Sequence, residues 1–393
     1  MRILLINDTI SRYGGAEEFC YSQKKLLENK GHSVIIFGKK NLESIPSYLL
    51  RFFDPFIYLQ SYKLIKDFNP DIVHVHCVSR NISPSPILAA KKLGKKVIMT
   101  IHDFHYYCPK TWAIYQDGKP CKFGYSGKCL YANCKTFKEG YQYLPYHFLK
   151  WLKIGLHRKI LIKYVNIFTT PSIKLKKAMQ SSLKIPDKKI IYLPNFTNPE
   201  KNKRRNIDKI KPNQFLYVGR LSKEKGVKVL IEALHLLVNN NNNKLNVKLI
   251  IIGDGSERTK LERLTRLFSL EKNISFLGKL PRSTLSKYYL ECLAVVIPSL
   301  CMETGPLVAY EAMSYHTPII ASNIGELPNH VENNKNGFLF EASNKNKLAN
   351  CLQKLFENRK LSKTLGENGY EIAKMKYDKE IYNKKLMKIY KNL

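Results

Sequence analysis

The sequence predicts an α/β protein made of two doubly wound, Rossmann-like units, and three observations carry that expectation. Short apolar runs recur along the chain with helical patterns between them, the alternation expected of parallel sheets. A polar, basic stretch from Asn198 to Asn213 interrupts that alternation, which then restarts. The 393 residues, 44% hydrophobic and 11% aromatic, suffice for two cores of roughly 150–200 residues each.

In the first unit the expected strands are Arg2 to Asn7, Ser33 to Gly38, Asp71 to His76, Lys96 to Ile101 and Val165 to Thr170. A helix should open at Gly14-Gly15-Ala16-Glu17 and run to about Lys30. In the second unit they are Phe215 to Val218, Lys248 to Ile252, Ile274 to Leu277, Leu293 to Ile297, Pro318 to Ala321 and Gly337 to Phe340. Val227 to Val238 and Leu285 to Cys292 read as helices, Asn239 to Asn243 as a loop tip, and 344–393 as closing helices rich in Lys. The division is therefore a first unit at 1–197, a linker at 198–213, a second unit at 214–375 and a helix at 376–393 returning to the first unit. Two such units would face each other across a central cleft lined by the carboxyl ends of their strands, a preferred ligand site.

The formal charge is +35, from 66 Lys and Arg against 31 Asp and Glu. Such a charge attracts phosphorylated small molecules, anionic lipid or nucleic acid. No nucleic-acid-binding module is recognisable, and the basic residues are scattered rather than gathered on one reading helix, so nucleic acid is not the expected partner. Met1 to Asn7 is too short for a signal segment, and no run of about 18 apolar residues would span a bilayer. The chain is expected in the cytoplasm or on the cytoplasmic membrane face. Between Gly140 and Pro186 there is no acidic residue, and Phe148, Leu149, Trp151, Leu152, Leu156 and Ile160 share a helical stripe. That helix could meet an anionic lipid surface, or face the core with a solvated basic side.

The second unit holds the densest chemistry. Glu303 and Glu311, separated by seven residues, bracket a Gly305-Pro306 break after the apolar run Ala294 to Ile297. Glu303 should lie on the loop, Gly305 to Leu307 at a helix start, and Glu311 two turns into that helix. Backbone N–H groups at a helix start attract anions, and carboxylates accept hydrogen bonds from hydroxyl groups. Arg220 and Lys225 follow the strand ending at Val218 and offer a bidentate fork and a point charge, a combination suited to a diphosphate. Gly253 and Asp254 lie in a tight turn after the next strand, and Ser322 to Pro328 opens a short helix after a later one. In the first unit, Gly14 and Gly15 follow strand one and let backbone approach a ligand closely. His102 closes strand four, while His74 and His76 alternate along strand three and read as packing residues or as supports standing behind a site residue.

Of nine cysteines, Cys20, Cys77, Cys292, Cys301 and Cys351 sit in apolar contexts and read as buried thiols. Cys108, Cys121, Cys129 and Cys134 cluster, with gaps of 12, 7 and 4 residues. Four thiols could ligate a structural zinc, pair as disulfides or stay free, and the spacing is not that of paired C-x2-C ribbons.

The V-G-R-L-x-x-x-K-G segment at Val218, the I-I-G-D-G turn at Ile251 and the E-x(7)-E element followed by Ala312-Met313 occur in that order. Together they resemble the carboxyl-terminal domain of GT-B fold retaining glycosyltransferases of family 4 (glycosyl transferases group 1), and the resemblance covers essentially the whole chain. It implies a hexosyltransferase using a UDP- or GDP-sugar donor, with no metal needed for catalysis, acting on a saccharide or lipid-linked acceptor in surface polysaccharide or glycolipid synthesis. Arg220 and Lys225 would neutralise the donor diphosphate, Glu303 bind hydroxyls of the transferred sugar, and Glu311 hold the ribose. Gly14 and Gly15 would meet the donor phosphate, and His102 would position the sugar or assist the reaction. Cys-rich loops after the His102-Asp103 element occur in some members. A sugar-nucleotide epimerase of the same shape and a basic nucleic-acid-binding protein are the alternative readings.

Overall fold

The computed structural model describes residues 1–11, 14–39, 48–79, 81–115, 119–130, 134, 144–198, 210–211, 213–239 and 245–393. Most of the stretch expected as a linker, the loop tip after Asn239, and Tyr13 beside the first glycine turn lie outside these residues. The chain divides into two compact units, one formed by 1–195 with 380–393, the other by 196–379.

Unit 1 holds six parallel strands, β1 (Arg2–Thr9), β2 (Ser33–Lys39), β3 (Ile72–Val75), β4 (Lys96–Thr100), β5 (Ile167–Thr170) and β6 (Ile190–Tyr192), in the order β2-β1-β3-β4-β5-β6. Ile3 to Ile6 and the whole of β3 are buried, the continuous apolar pattern of strands covered on both faces. Helices fill the crossovers, with local stops and starts. Asp54 accepts the Phe56 and Ile57 N–H groups at 3.1 Å to cap Pro55–Phe68. The last helix, Lys379–Lys391, is fastened to this unit from Glu380 onward. Tyr390 Oη lies 2.7 Å from His74 Nδ1, Gln23 donates to Tyr382 Oη at 3.2 Å, and Lys30 pairs with Glu380 at 2.7 Å.

Unit 2 holds six more parallel strands, β7 (Gln214–Val218), β8 (Lys248–Ile252), β9 (Ile274–Gly278), β10 (Ala294–Ile297), β11 (Ile319–Ser322) and β12 (Gly337–Phe340), in the order β12-β11-β10-β7-β8-β9. Alternate residues of one strand enter opposite cores. Phe215 and Tyr217 pack with the helices Val227–Asn239 and Lys345–Glu357, while Leu216 packs with Leu307–Ser314 and the end of Arg359–Lys376. Both sheets and all eleven expected strands are present, within one or two residues at their ends. The short β6 is an addition to them.

Candidate functional site

The order of the second sheet reverses between β7 and β10, which pair directly and send their following helices to opposite faces. Open α/β sheets bind ligands at the carboxyl ends of strands at such a reversal. The connections leaving those two strands interlock. Leu300 N–H donates to the Glu224 carbonyl at 2.8 Å, and Gly226, left-handed at φ +68°, presses against the Pro298 carbonyl, where a Cβ would collide.

That interlock brings Lys225 and Glu303 together. Lys225 Nζ donates to Glu303 Oε1 at 2.7 Å, and Ser299 Oγ donates to the same oxygen at 2.6 Å. No hydrogen bond among the described residues reaches Glu303 Oε2. Behind it, the Glu326 N–H donates to the Glu303 carbonyl at 2.7 Å, and Gly325, at φ +61°, leaves no room for a Cβ against the Glu303 backbone. Glu303 is only 8% exposed. Burial opposes its charge, but Lys225, Ser299 and Arg220 outweigh burial and hold the carboxyl below its ordinary range. Burial likewise opposes the Lys225 charge, and the Glu303 carboxylate reverses that and raises its pKa. Both groups are therefore ionised at neutral pH.

Arg220 lies beside this pair with its side chain 58% exposed. One edge of the guanidinium meets the buried Glu224 carboxylate at 3.2 Å, and the Tyr217 hydroxyl donates to the Arg220 carbonyl at 2.8 Å. After β8, the Gly253 N–H donates to the Gly278 carbonyl at 2.8 Å, and the Asp254 carboxylate accepts the Gly255 N–H at 2.7 Å and stands 3.6 Å from Arg258.

Glu311 is held by a different set of partners. It is the fifth residue of the helix Leu307–Ser314, little more than one turn in rather than the two turns expected. Its Oε2 accepts from the buried Tyr289 hydroxyl at 2.7 Å, and Arg282 pairs with Oε1. Pro306 caps that helix and has no N–H, so the anion-attracting donors at its start begin at Leu307. Ser299, Glu224, Arg282 and Tyr289 were not apparent in the sequence, because each is tied to its partner only by the fold.

In unit 1 the strand order reverses between β1 and β3. Gly14 caps the helix Gly15–Glu28 that follows β1, with Glu17 and Glu18 in the first turn. His76 and His102 end β3 and β4 and stack at 5.2 Å between ring centroids, with His76 Nδ1 2.9 Å from His102 Nε2. His74 stacks on His76 at 4.7 Å and is held by the Thr100 hydroxyl at 2.7 Å. Burial, partly offset by Asp103, lowers His102 to about 4. Burial and the neighbouring rings lower His74 to about 3 and His76 well below its ordinary value. All three rings are thus neutral at pH 7, each with one donor and one acceptor nitrogen. Of the two sequence readings of His76, packing or support, its contact with His102 matches the second.

Two further stretches bear on the sequence readings. The helix Leu144–Tyr164 turns its apolar stripe outward, with Phe148, Leu149, Leu152 and Leu156 exposed. Its covered side mixes Ile154 and Leu161 with polar residues: Lys153 donates to the Ser79 carbonyl at 2.8 Å, His157 Nε2 lies 2.9 Å from the Arg51 carbonyl, and Arg158 reaches Ser182 Oγ at 2.9 Å and the Tyr106 carbonyl. The helix thus buries Ile154 and Leu161 together with basic residues, while Lys159 and Lys163 face solvent. Cys77 and Cys351 are half-buried rather than buried, and Cys108, Cys121, Cys129 and Cys134, none of them in a disulfide, line one cavity. Among the described residues no three His, Cys, Asp or Glu side chains stand close enough, as they are, to hold a metal ion. No described helix is long and apolar enough to cross a membrane.

Comparison with known proteins follows these outlines. MJ1607, an uncharacterized glycosyltransferase of Methanocaldococcus jannaschii, is 30% identical over 234 residues, covering 56% of this chain and 59% of that protein, less than two thirds of its length. The alpha-monoglucosyldiacylglycerol synthase of Acholeplasma laidlawii is 25% identical over 401 residues, covering 94% of this chain and 91% of the synthase. The structure of Anabaena Alr3699/HepE in complex with UDP-glucose superposes over 100% of both chains with a TM-score of 0.71 at 18% identity, a likeness of fold. Residues 199–372 match the family described as Glycosyl transferases group 1 and residues 13–201 that described as Glycosyltransferase Family 4. Because the two matches meet near residue 200 and cover most of the sequence, the chain belongs to the family 4 glycosyltransferases of the GT-B fold.

Proposed function

We propose that this protein transfers a hexose, with retention of anomeric configuration and without a catalytic metal, from a UDP- or GDP-sugar to a saccharide or lipid-linked acceptor in surface polysaccharide or glycolipid synthesis. The observation that carries the reading is the cluster of Arg220, Lys225 and Glu303 at the strand-order reversal of the second sheet. Two cations beside a buried carboxylate can stabilise a departing diphosphate while the carboxylate fixes a sugar hydroxyl. Arg220 and Lys225 take the diphosphate, and Glu303 offers Oε2 to the sugar. Glu311, steadied by Tyr289 and Arg282, takes the ribose hydroxyls, and the N–H groups at the start of Leu307–Ser314 face the phosphates. Gly253 and Asp254 border the same strand ends. In unit 1, Gly14, Gly15 and His102 are assigned to the donor by family resemblance. The neutral His102 ring is fixed by His76 and can exchange a hydrogen bond with a sugar hydroxyl.

The exposed apolar stripe of Leu144–Tyr164 supports docking of unit 1 on an anionic membrane face, where a lipid-linked acceptor would be met. The near full-length likeness to a glucosyldiacylglycerol synthase agrees with that acceptor class. The UDP-glucose bound by the Anabaena protein agrees with the donor class. A thermal-shift screen across UDP- and GDP-sugars tests the donor assignment, since a bound donor raises the melting temperature by mass action. NMR of the product anomeric centre, with and without EDTA, then reads retention and metal independence. An inverted product, or turnover abolished by EDTA and restored by Mg²⁺, would refute the corresponding part. Conversion of the donor's sugar without any acceptor would point to an epimerase.

A further inference from the structure

The segment between β4 and the helix Leu144–Tyr164 contains chemistry that glycosyl transfer does not use. Cys108, Cys121, Cys129 and Cys134 line one small cavity of about 10 Å³, room for a single atom-sized occupant. Chain geometry converges them from separate places. An antiparallel bridge between Ile114 and Pro120 folds the first two cysteines toward each other, and a bridge between Tyr115 and Cys134 adds the fourth. Cys129 lies in the short helix Gly127–Leu130, which stays in place because Trp151 donates to the Ser126 carbonyl at 3.0 Å and stacks on Tyr125 at 5.4 Å.

We propose that the sulfurs of Cys108, Cys121, Cys129 and Cys134 ligate one zinc ion. An all-sulfur set of four is the donor chemistry that selects a closed, structural zinc site. Four thiolates around Zn²⁺ carry a net charge of −2, and Lys110 and Lys128 line the same cavity with two positive charges. On binding, four S–H bonds break, four Zn–S bonds form, and four protons go to solvent. The ion would tie together a stretch in which Thr111 and Ala113 already hold the left-handed conformation at φ +70° and +54°.

The test uses the full chain, purified under reducing conditions, loaded with excess zinc and freed of unbound metal by gel filtration. Elemental analysis should find one zinc per chain, released by titration with a mercurial as four thiols react. Cys121→Ser and Cys134→Ser should each lower the zinc retained by about tenfold or more. Cys351→Ser, on the helix Lys345–Glu357, should retain the full equivalent. Folded wild-type protein holding less than about a tenth of an equivalent would overturn the proposal, as would iron with visible thiolate-to-iron absorption in place of zinc. Two disulfides that persist in the presence of reductant would overturn it as well. The primary reading is made on wild type, so a variant that fails to fold does not weaken it. It is also made without donor sugar, so it stands or falls separately from the transferase activity.

Discussion

Glu303 Oε1 accepts from both Lys225 and Ser299, so removing one member of the pair leaves the other's charge in a buried place without its counter-ion. Glu303→Ala and Lys225→Ala should each lower kcat about 100-fold or more. The double variant should be little worse than either, since the two act as one hydrogen-bonded unit. Steady-state kinetics with circular dichroism as the folding control would decide it, and fully additive losses would sink the shared role. The pair also has a defined pH window. The lowered Glu303 pKa gives stability that is complete above the ordinary carboxylate range and lost only as pH falls through the folded value, and the raised Lys225 pKa gives stability lost as pH rises through its own. Acid sensitivity should therefore begin with the histidines. His102 at about 4 and His74 at about 3 stay neutral in the folded chain while the unfolded chain takes up protons below about 6.5. Stability should fall with pH from there downward, each ring contributing at most about 1.4 kcal/mol per pH unit. Urea denaturation at pH 7, 6 and 5 should show a shallower fall for His102→Asn, and an unchanged slope would remove His102 from this account.

At the scale of elements, the sequence made the strands legible because each is a short apolar run between turns. It missed β6, three residues long, since Ile190 to Tyr192 is too brief to form a pattern and gains its place only by pairing with β5. Linear order also concealed the partners of Glu311, because Arg282 and Tyr289 precede β10 while Glu311 follows it. The helix Leu144–Tyr164 stayed open between two readings for a related reason: periodicity identifies a stripe but not which side is covered, and here carbonyls from Arg51, Ser79 and Tyr106 hold polar side chains on the covered side. Arg220 and Lys225, by contrast, could be read directly, because a strand followed by a basic turn and glycine already fixes their position at a strand end. The glycine that closes that turn, Gly226, should tolerate no side chain. Alanine there would hold an unfavourable left-handed backbone and collide with the Pro298 carbonyl, at a cost of about 1–3 kcal/mol. Because Gly226 follows Lys225, relief of the collision would also displace the Lys225–Glu303 contact. Gly226→Ala should thus lower the urea midpoint and reduce kcat together, and wild-type values for both would show that the two connections do not depend on this contact.

On the scale of the whole molecule, the proposed donor chemistry and the character of the surface belong to different units. The Arg220, Lys225 and Glu303 cluster lies in unit 2, whereas most exposed large apolar side chains belong to unit 1, among them Phe53, Phe56 and Leu59 as well as the stripe of Leu144–Tyr164. A chain with a formal charge of +35 is drawn to anionic bilayers, but charge alone is screened within about 10 Å at 0.1 M salt. Apolar side chains entering the interface add a contribution that salt does not remove. The two contributions can be separated in a flotation assay with vesicles of phosphatidylglycerol and phosphatidylcholine. Wild-type protein should float with the anionic vesicles at low salt and retain part of that binding at 0.5 M salt. Leu152→Glu with Leu156→Glu should lose the salt-resistant fraction while keeping turnover on a soluble acceptor, because both side chains are solvent-facing and distant in sequence from the unit 2 cluster. Protein that stays in the soluble fraction at low salt would refute the membrane face. Equal flotation of wild type and variant at high salt would leave the helix Leu144–Tyr164 without a part in docking.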